Sequence, residues 1–141
     1  MTPVIQQSVR FRTTPQALFD LYMDSTINSR STGAPARIGR KVGGKFTAFG
    51  RQLERKNLHL VRGKQIVRFW RATHWKKGDG SILLLTFSRV AGGAQMDLVQ
   101  IAVPAYDQKG VRRGWPKYYW RAWKKYISQK WVRRPSAPIG A

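Results

Sequence analysis

The order of hydrophobic patterns limits the folds open to this chain: a run of short alternating segments ends at Pro104, and one aromatic-striped helical segment follows. Residues 81–89 and 94–103 read as strong strands joined by a turn at Ala91-Gly92-Gly93. Ahead of them residues 42–50 read as a turn and a short strand, and residues 52–61 and 65–72 as strands around the turn Arg62-Gly63-Lys64. A helix is expected from about residue 115 to 131, with Pro116 in its first turn. Its stripe is Trp115, Tyr119, Ala122, Trp123, Tyr126 and Ile127. A lone amphipathic helix has to bury that stripe, and a sheet beside it does so by curling round it.

The N-terminal part is compatible with this plan. Residues 4–11 read as a first strand with Val9 and Phe11 on one face. Thr14 is placed to cap a helix with Pro15 at its first position, and Ala17, Leu18, Leu21 and Tyr22 repeat at helical spacing. Asp24-Ser25 offers a second cap before a short helix near residues 26–31, and Gly33-Ala34-Pro35 breaks the chain. The expected fold is α+β: a curved antiparallel sheet around a long C-terminal helix, with two short helices after the first strand. One domain is expected over residues 1–132, and the Pro- and Ala-rich residues 133–141 are expected to be disordered.

Composition narrows the function. Lys and Arg number 27 against six acids, a formal net charge of +21, where a small soluble domain usually carries about 2–8. The cations run through the whole chain, Arg51, Arg55, Arg62, Arg68, Arg71 and Arg89 among them, so the sequence reads as a whole surface made basic. A hydrophobic content of 42% excludes a disordered basic tail. With no cysteine there is no disulfide, thiol catalysis or Cys-based zinc site. No apolar run approaches the roughly 20 residues of a membrane span, and no signal-peptide core is visible, so a cytoplasmic location is expected.

Catalysis has little to stand on. The histidines are His59 and His74, and the acids are Asp20, Asp24, Glu54, Asp79, Asp97 and Asp107. Asp20 and Asp24 sit where helix ends want acids. His59 lies in an alternating strand with an exposed position, and His74 adjoins Trp75 in a loop. No metal-ligand spacing is present and no cofactor is expected.

Segments in order along residues 4–131 resemble the activator-of-heat-shock-chaperone-ATPase homologue family of the START-like (SRPBCC) helix-grip superfamily. They are residues 14–25 (Thr14-Pro15-Gln16-Ala17-Leu18-Phe19-Asp20-Leu21-Tyr22-Met23-Asp24-Ser25), Thr32-Gly33-Ala34-Pro35-Ala36, Arg40-Lys41-Val42-Gly43-Gly44-Lys45-Phe46, Gly63-Lys64-Gln65-Ile66-Val67, Trp70-Arg71-Ala72, Gly92-Gly93, Ala102-Val103-Pro104 and Gly114-Trp115-Pro116-Lys117-Tyr118-Tyr119-Trp120. The resemblance implies a cavity between sheet and helix, a non-enzymatic role in binding an apolar small molecule, or a co-chaperone-type role. Arg51 and Arg55 stand where the family often has small residues or glycine, Arg62 where it often has proline, Arg68 where a neutral polar residue is usual, and Ala102 where glycine is frequent. Two readings of the charge stay open: a surface recharged for solubility, by design or selection, or a natural polyanion binder.

On this frame the expected cavity residues are Phe46, Trp70, His74, Leu83, Leu85, Met96, Leu98, Gln100, Trp115, Tyr118 and Tyr119. The opposite strand parity sends Val67, Phe69, Ile82, Leu84, Val99 and Ile101 to the convex face, an apolar patch that suits a homodimer. Arg112, Arg113, Lys117, Arg121, Lys124 and Lys125 form a solvated cationic face that binds nucleic acid or other polyanions by charge alone. The rival functions are a dedicated nucleic-acid-binding protein and, more weakly, an enzyme of the cyclase or hydrolase kind.

Overall fold

The computed structural model of the chain describes residues 3–133. Strand β1 (Ile5–Phe11) leads into helices α1 (Pro15–Met23) and α2 (Ser25–Thr32). Both helix starts come from the capping side chains read in the sequence. Thr14 Oγ1 accepts the Ala17 N–H at 3.0 Å, and Asp24 Oδ1 accepts that of Ile27 at 2.9 Å. Each satisfies a backbone donor that a first helical turn leaves unpaired. A short β2 (Arg37–Ile38) follows, which the sequence did not suggest, then β3 (Lys45–Ala48), β4 (Leu53–Val61), β5 (Gln65–Ala72), β6 (Ser81–Val90) and β7 (Gly93–Ile101).

These strands form one seven-stranded sheet in the order β1-β7-β6-β5-β4-β3-β2, every pair antiparallel. The first strand therefore lies against the last. Along β6 and β7 every second residue is buried, through Leu83, Leu85 and Phe87 on one strand and Met96, Leu98 and Gln100 on the other. That row faces the helix. With the long C-terminal helix and the two short ones, this is the α+β helix-grip architecture expected from the sequence.

The helical run begins at Gln108, earlier than the aromatic stripe suggests. It comprises α3 (Gln108–Gly114), a π-helical turn (Trp115–Trp120) and α4 (Arg121–Arg133). Pro116 accounts for the π turn. It has no N–H to give the Arg112 carbonyl four residues back, and that carbonyl accepts instead from Gln7 Nε2 on β1 at 2.9 Å. The ladder recloses with the Arg121 N–H on the Pro116 carbonyl, five residues back. The wider turn brings Trp120 onto the buried side with Trp115, Tyr119 and Trp123. Trp120 Nε1 then donates to Gln7 Oε1 at 2.7 Å. One glutamine of the edge strand thus bridges the interruption from both sides. The helix continues through Arg133, so the expected tail from that residue on otherwise falls on residues 134–141, outside the described residues.

Two of the cations counted with the basic surface are inside. Arg68 and Arg71 are 1% and 6% exposed. Arg71 is held by Glu54 at 2.7 Å and by the carbonyls of Trp75 and Asp79, so it clamps the β5–β6 loop from within. On the convex face Val67 pairs with Leu84 and Leu84 with Val99, while Phe69 pairs with Ile82 and Ile82 with Ile101. The six residues make two apolar cross-strand rows, exposed at Ile101 and half-buried elsewhere. Phe69 is partly roofed by the loop, where a Cβ on Gly80 would collide with its ring.

Two departures from the family pattern coincide with backbone that disfavours a side chain. Arg55 has φ 138° and Ala102 φ 64°. Glycine takes such angles without steric cost, and other residues pay of order 1–3 kcal/mol. The Arg55–Glu54 pair is largely solvated and compensates little. Arg55→Gly is therefore expected to stabilise the protein by about 1 kcal/mol, a rise of about 3 °C in Tm, and Ala102→Gly to stabilise it by less. Denaturant titration of the two variants checks this, and a loss of stability in Arg55→Gly would contradict it.

Candidate ligand cavity

A cavity of about 470 Å³ lies between the end of β5, the β3–β4 turn and the helical run. Its walls are largely rings. Trp70 comes from β5, Trp115, Tyr118 and Tyr119 from the π turn, and Phe49 from the β3–β4 turn. Phe49 sits at φ 51°, in the left-handed region, and is held by edge-on contacts to Tyr118 and Tyr119 at 5.7 and 5.3 Å between ring centres. Gly110 and Gly114 of α3 leave room on the helix side.

The rim is polar and tied down. His74 Nε2 lies 3.4 Å from Asp107 Oδ2, which also accepts from Trp75 Nε1 at 2.7 Å. The Tyr106 hydroxyl donates to Asp79 at 2.6 Å and accepts the Lys76 N–H at 2.9 Å. These bonds pin the β5–β6 loop to the turn that precedes α3, and so fix the mouth. His74 and Asp107 are the only histidine or acid among the lining residues, and they face each other.

Of the residues expected at the cavity, Trp70, His74, Trp115, Tyr118 and Tyr119 line it. Leu83, Leu85, Met96 and Leu98 are instead fully buried core beneath it, and Phe46 packs under the Arg68 guanidinium. Gln100 is consumed internally. It accepts from Trp115 Nε1 at 2.9 Å and donates to Ser81 Oγ at 3.0 Å, and Ser81 in turn donates to the Trp70 carbonyl at 2.8 Å. Phe49, Leu53, Ala72, Asp107 and Val111 line the cavity although the sequence did not single them out. The β3–β4 turn places Phe49 and Leu53 and the early helix start places Asp107 and Val111, neither of which any periodicity reported, while Ala72 closes β5.

Behind the ring wall lies a buried polar cluster. The Arg68 guanidinium is stacked between Phe46, 3.9 Å from the ring centre, and Tyr22, at 4.6 Å. Burial pushes the Arg68 pKa down and those of Tyr22 and Tyr119 up, with each tyrosine opposed by the nearby guanidinium. Arg112, Arg113, Lys117, Arg121, Lys124 and Lys125 are exposed on the outer side of the helical run. None of them is in an ion pair among the described residues. No described helix is long and apolar enough to cross a membrane.

The family model described as "Activator of Hsp90 ATPase homolog 1-like protein" matches residues 12–128. The Activator of 90 kDa heat shock protein ATPase homolog 1 of Homo sapiens is 29% identical over 115 residues, 82% of this chain and 34% of its own length. The corresponding Dictyostelium discoideum protein is 26% identical over 118 residues, 82% of this chain and 30% of its own. The chain thus spans about a third of the length of these relatives. Among solved structures, an HSP90 activator from Plasmodium falciparum superposes with a TM-score of 0.84 at 21% identity, covering 90% of this chain and 97% of that one. The Aha1 dimer from Colwellia psychrerythraea gives 0.74 at 10% identity, covering 89% and 96%. At these identities the two structures establish the fold.

Proposed function

The chain belongs to the Activator of Hsp90 ATPase homolog 1-like family, and from that premise we propose that it is a non-enzymatic binding domain whose cavity takes an apolar, ring-containing small molecule. The observation that carries this reading is the cavity of about 470 Å³ walled by Phe49, Trp70, Trp115, Tyr118 and Tyr119. Pockets of about 300–1,000 Å³ with mostly apolar linings and few polar groups are the usual sites for such ligands. No Ser, Thr, Cys or Lys is among the lining residues for the His74–Asp107 pair to activate, which favours binding over turnover. An apolar fluorophore is expected to bind with enhanced emission, and Trp70→Ala to weaken it about tenfold. Fluorescence titration measures this, and unchanged affinity in Trp70→Ala would contradict it.

Two surface features support partners beyond the small molecule. The exposed, unpaired cations of the helical run favour acidic partners: nucleic acid and other polyanions without sequence preference, and, in a co-chaperone-type role like that named for the relatives, an acidic chaperone surface. The convex rows through Leu84 and Ile82 favour a two-fold homodimer. The two drives respond oppositely to salt. Counterion release makes polyanion binding fall as salt rises, whereas screening of like net charge lets apolar contact bring two copies together. Sedimentation and heparin-affinity measurements across ionic strength should show these opposed trends. Self-association indifferent to Leu84→Lys would remove the convex face from the account, heparin binding indifferent to salt would remove the charge, and an Hsp90-type ATPase unaffected by the domain would remove the co-chaperone role.

A further inference from the structure

Arg68 is a buried cation with no anion beside it among the described residues. Its hydrogen bonds among the described residues go to Asn57 Oδ1 at 2.9 Å and Met23 Sδ at 3.2 Å. The acids are all engaged elsewhere: Asp20 and Asp24 with Arg40, Glu54 with Arg55 and Arg71, Asp79 with Tyr106, Asp97 with Ser8, and Asp107 with Trp75. A guanidinium carries five donors in a fixed fork, and stacking on ring faces satisfies none of them. A buried charge left without a counter-charge is costly.

The surroundings of Arg68 repeat the same deficit. The Tyr22 hydroxyl and Trp70 Nε1 are buried with no hydrogen bond of good geometry among the described residues, as is Trp123 Nε1. The Tyr22 hydroxyl has Arg68, Trp70 and Tyr119 as neighbours. Arg68 and Trp70 can only donate, the two tyrosine hydroxyls both donate and accept, and no carboxylate stands among them in the described residues. Trp70 and Tyr119 line the cavity while Tyr22 and Arg68 lie behind them, so this acceptor-poor cluster adjoins its inner wall.

We propose that the cavity is built for an apolar acid, a molecule whose ring body fills the aromatic chamber and whose carboxylate takes hydrogen bonds from Trp70 Nε1 and the Tyr22 hydroxyl while neutralising Arg68. This rests on the reading that the cavity binds an apolar small molecule, and adds to it the charge of the ligand. A carboxylate supplies what the cluster lacks: acceptor lone pairs for several donors and a negative charge in a site of low dielectric. A neutral analogue of the same shape leaves the donors unmatched, and buried polar groups left unpaired discriminate strongly against such analogues.

The test compares 2-naphthoate with 2-naphthalenemethanol, which share a ring system and differ in charge, by tryptophan fluorescence titration of the full chain at pH 7. About 0.5 M salt shortens the Debye length to on the order of 4 Å and suppresses attraction by the surface cations. Wild type is expected to bind the carboxylate at least about tenfold more tightly than the alcohol. Arg68→Met should abolish that preference, Arg68→Lys should retain part of it, and Lys117→Met, on the exposed helix face, should leave it unchanged. Should Arg68→Met fail to fold by circular dichroism, Tyr22→Phe serves instead, with a reduced preference expected. Equal affinity for the two probes in wild type overturns the proposal and leaves the cavity reading intact, as does a preference that survives in Arg68→Met or, in its place, in Tyr22→Phe, or one that is lost in Lys117→Met. Binding of neither probe overturns the cavity reading and the proposal together.

Discussion

The indole of Trp115 joins the C-terminal helix to the sheet, and the remaining structure is arranged around it. Its Nε1 donates to Gln100 near the end of β7, and its ring stacks on Tyr119 at 5.0 Å and on Trp120 at 5.4 Å between centres. A ring stacking on residues four and five positions ahead needs a turn wider than an α-helical one. Pro116 produces that turn by withholding a hydrogen bond, and Gln7 takes up the carbonyl left over. The same turn sets Tyr118 and Tyr119 against Phe49 and so shapes the cavity wall. Helix placement, edge-strand attachment and pocket geometry therefore share one origin, a proline next to a buried tryptophan.

Charge is distributed by a different logic inside and outside. Outside, Arg112, Arg113, Lys117, Arg121, Lys124 and Lys125 of the helical run stand in water without ion pairs among the described residues and act chiefly through the long-range field. Inside, the two arginines do opposite things. Arg71 has a carboxylate and a set of loop carbonyls, and it organises the segment that frames the cavity mouth. Arg68 has rings, an amide oxygen and a thioether. An interior that accommodates one cation fully and leaves the other short of an acceptor is asymmetric, and the asymmetry lies on the cavity side of the sheet.

The sequence made much of the fold legible because its signals were local. Period-two alternation located β5, β6 and β7 within a residue or two, and Thr14 and Asp24 marked their helices through capping chemistry. The site was legible only in part. Trp70, Trp115, Tyr118 and Tyr119 could be placed because large rings beside the final helix had to meet. Phe49, Asp107 and Val111 could not, since their positions follow from a turn and from a helix start hidden ahead of the aromatic stripe. Arg68 looked like one more surface cation. Only strand parity marks it as inward-facing, at a buried position opposite Leu83, and hydrophobic patterning gives no reason to expect a charge there. Gln7 carried no signal, because its partners are a proline-orphaned carbonyl and an indole more than a hundred residues away.

On this reading the chamber walled by Trp70 and Trp115 is a ligand site, while the Trp120 and Trp123 side of the helix is packed core. Two-dimensional NMR of the tryptophan indole N–H groups during titration with an apolar aromatic ligand tests it most directly. The account predicts that the Trp70 and Trp115 resonances move and saturate while those of Trp120, bonded to Gln7, and Trp123, packed on Phe11 and Tyr22, stay in place. Equal movement of all four, or movement confined to Trp120 and Trp123, would contradict it.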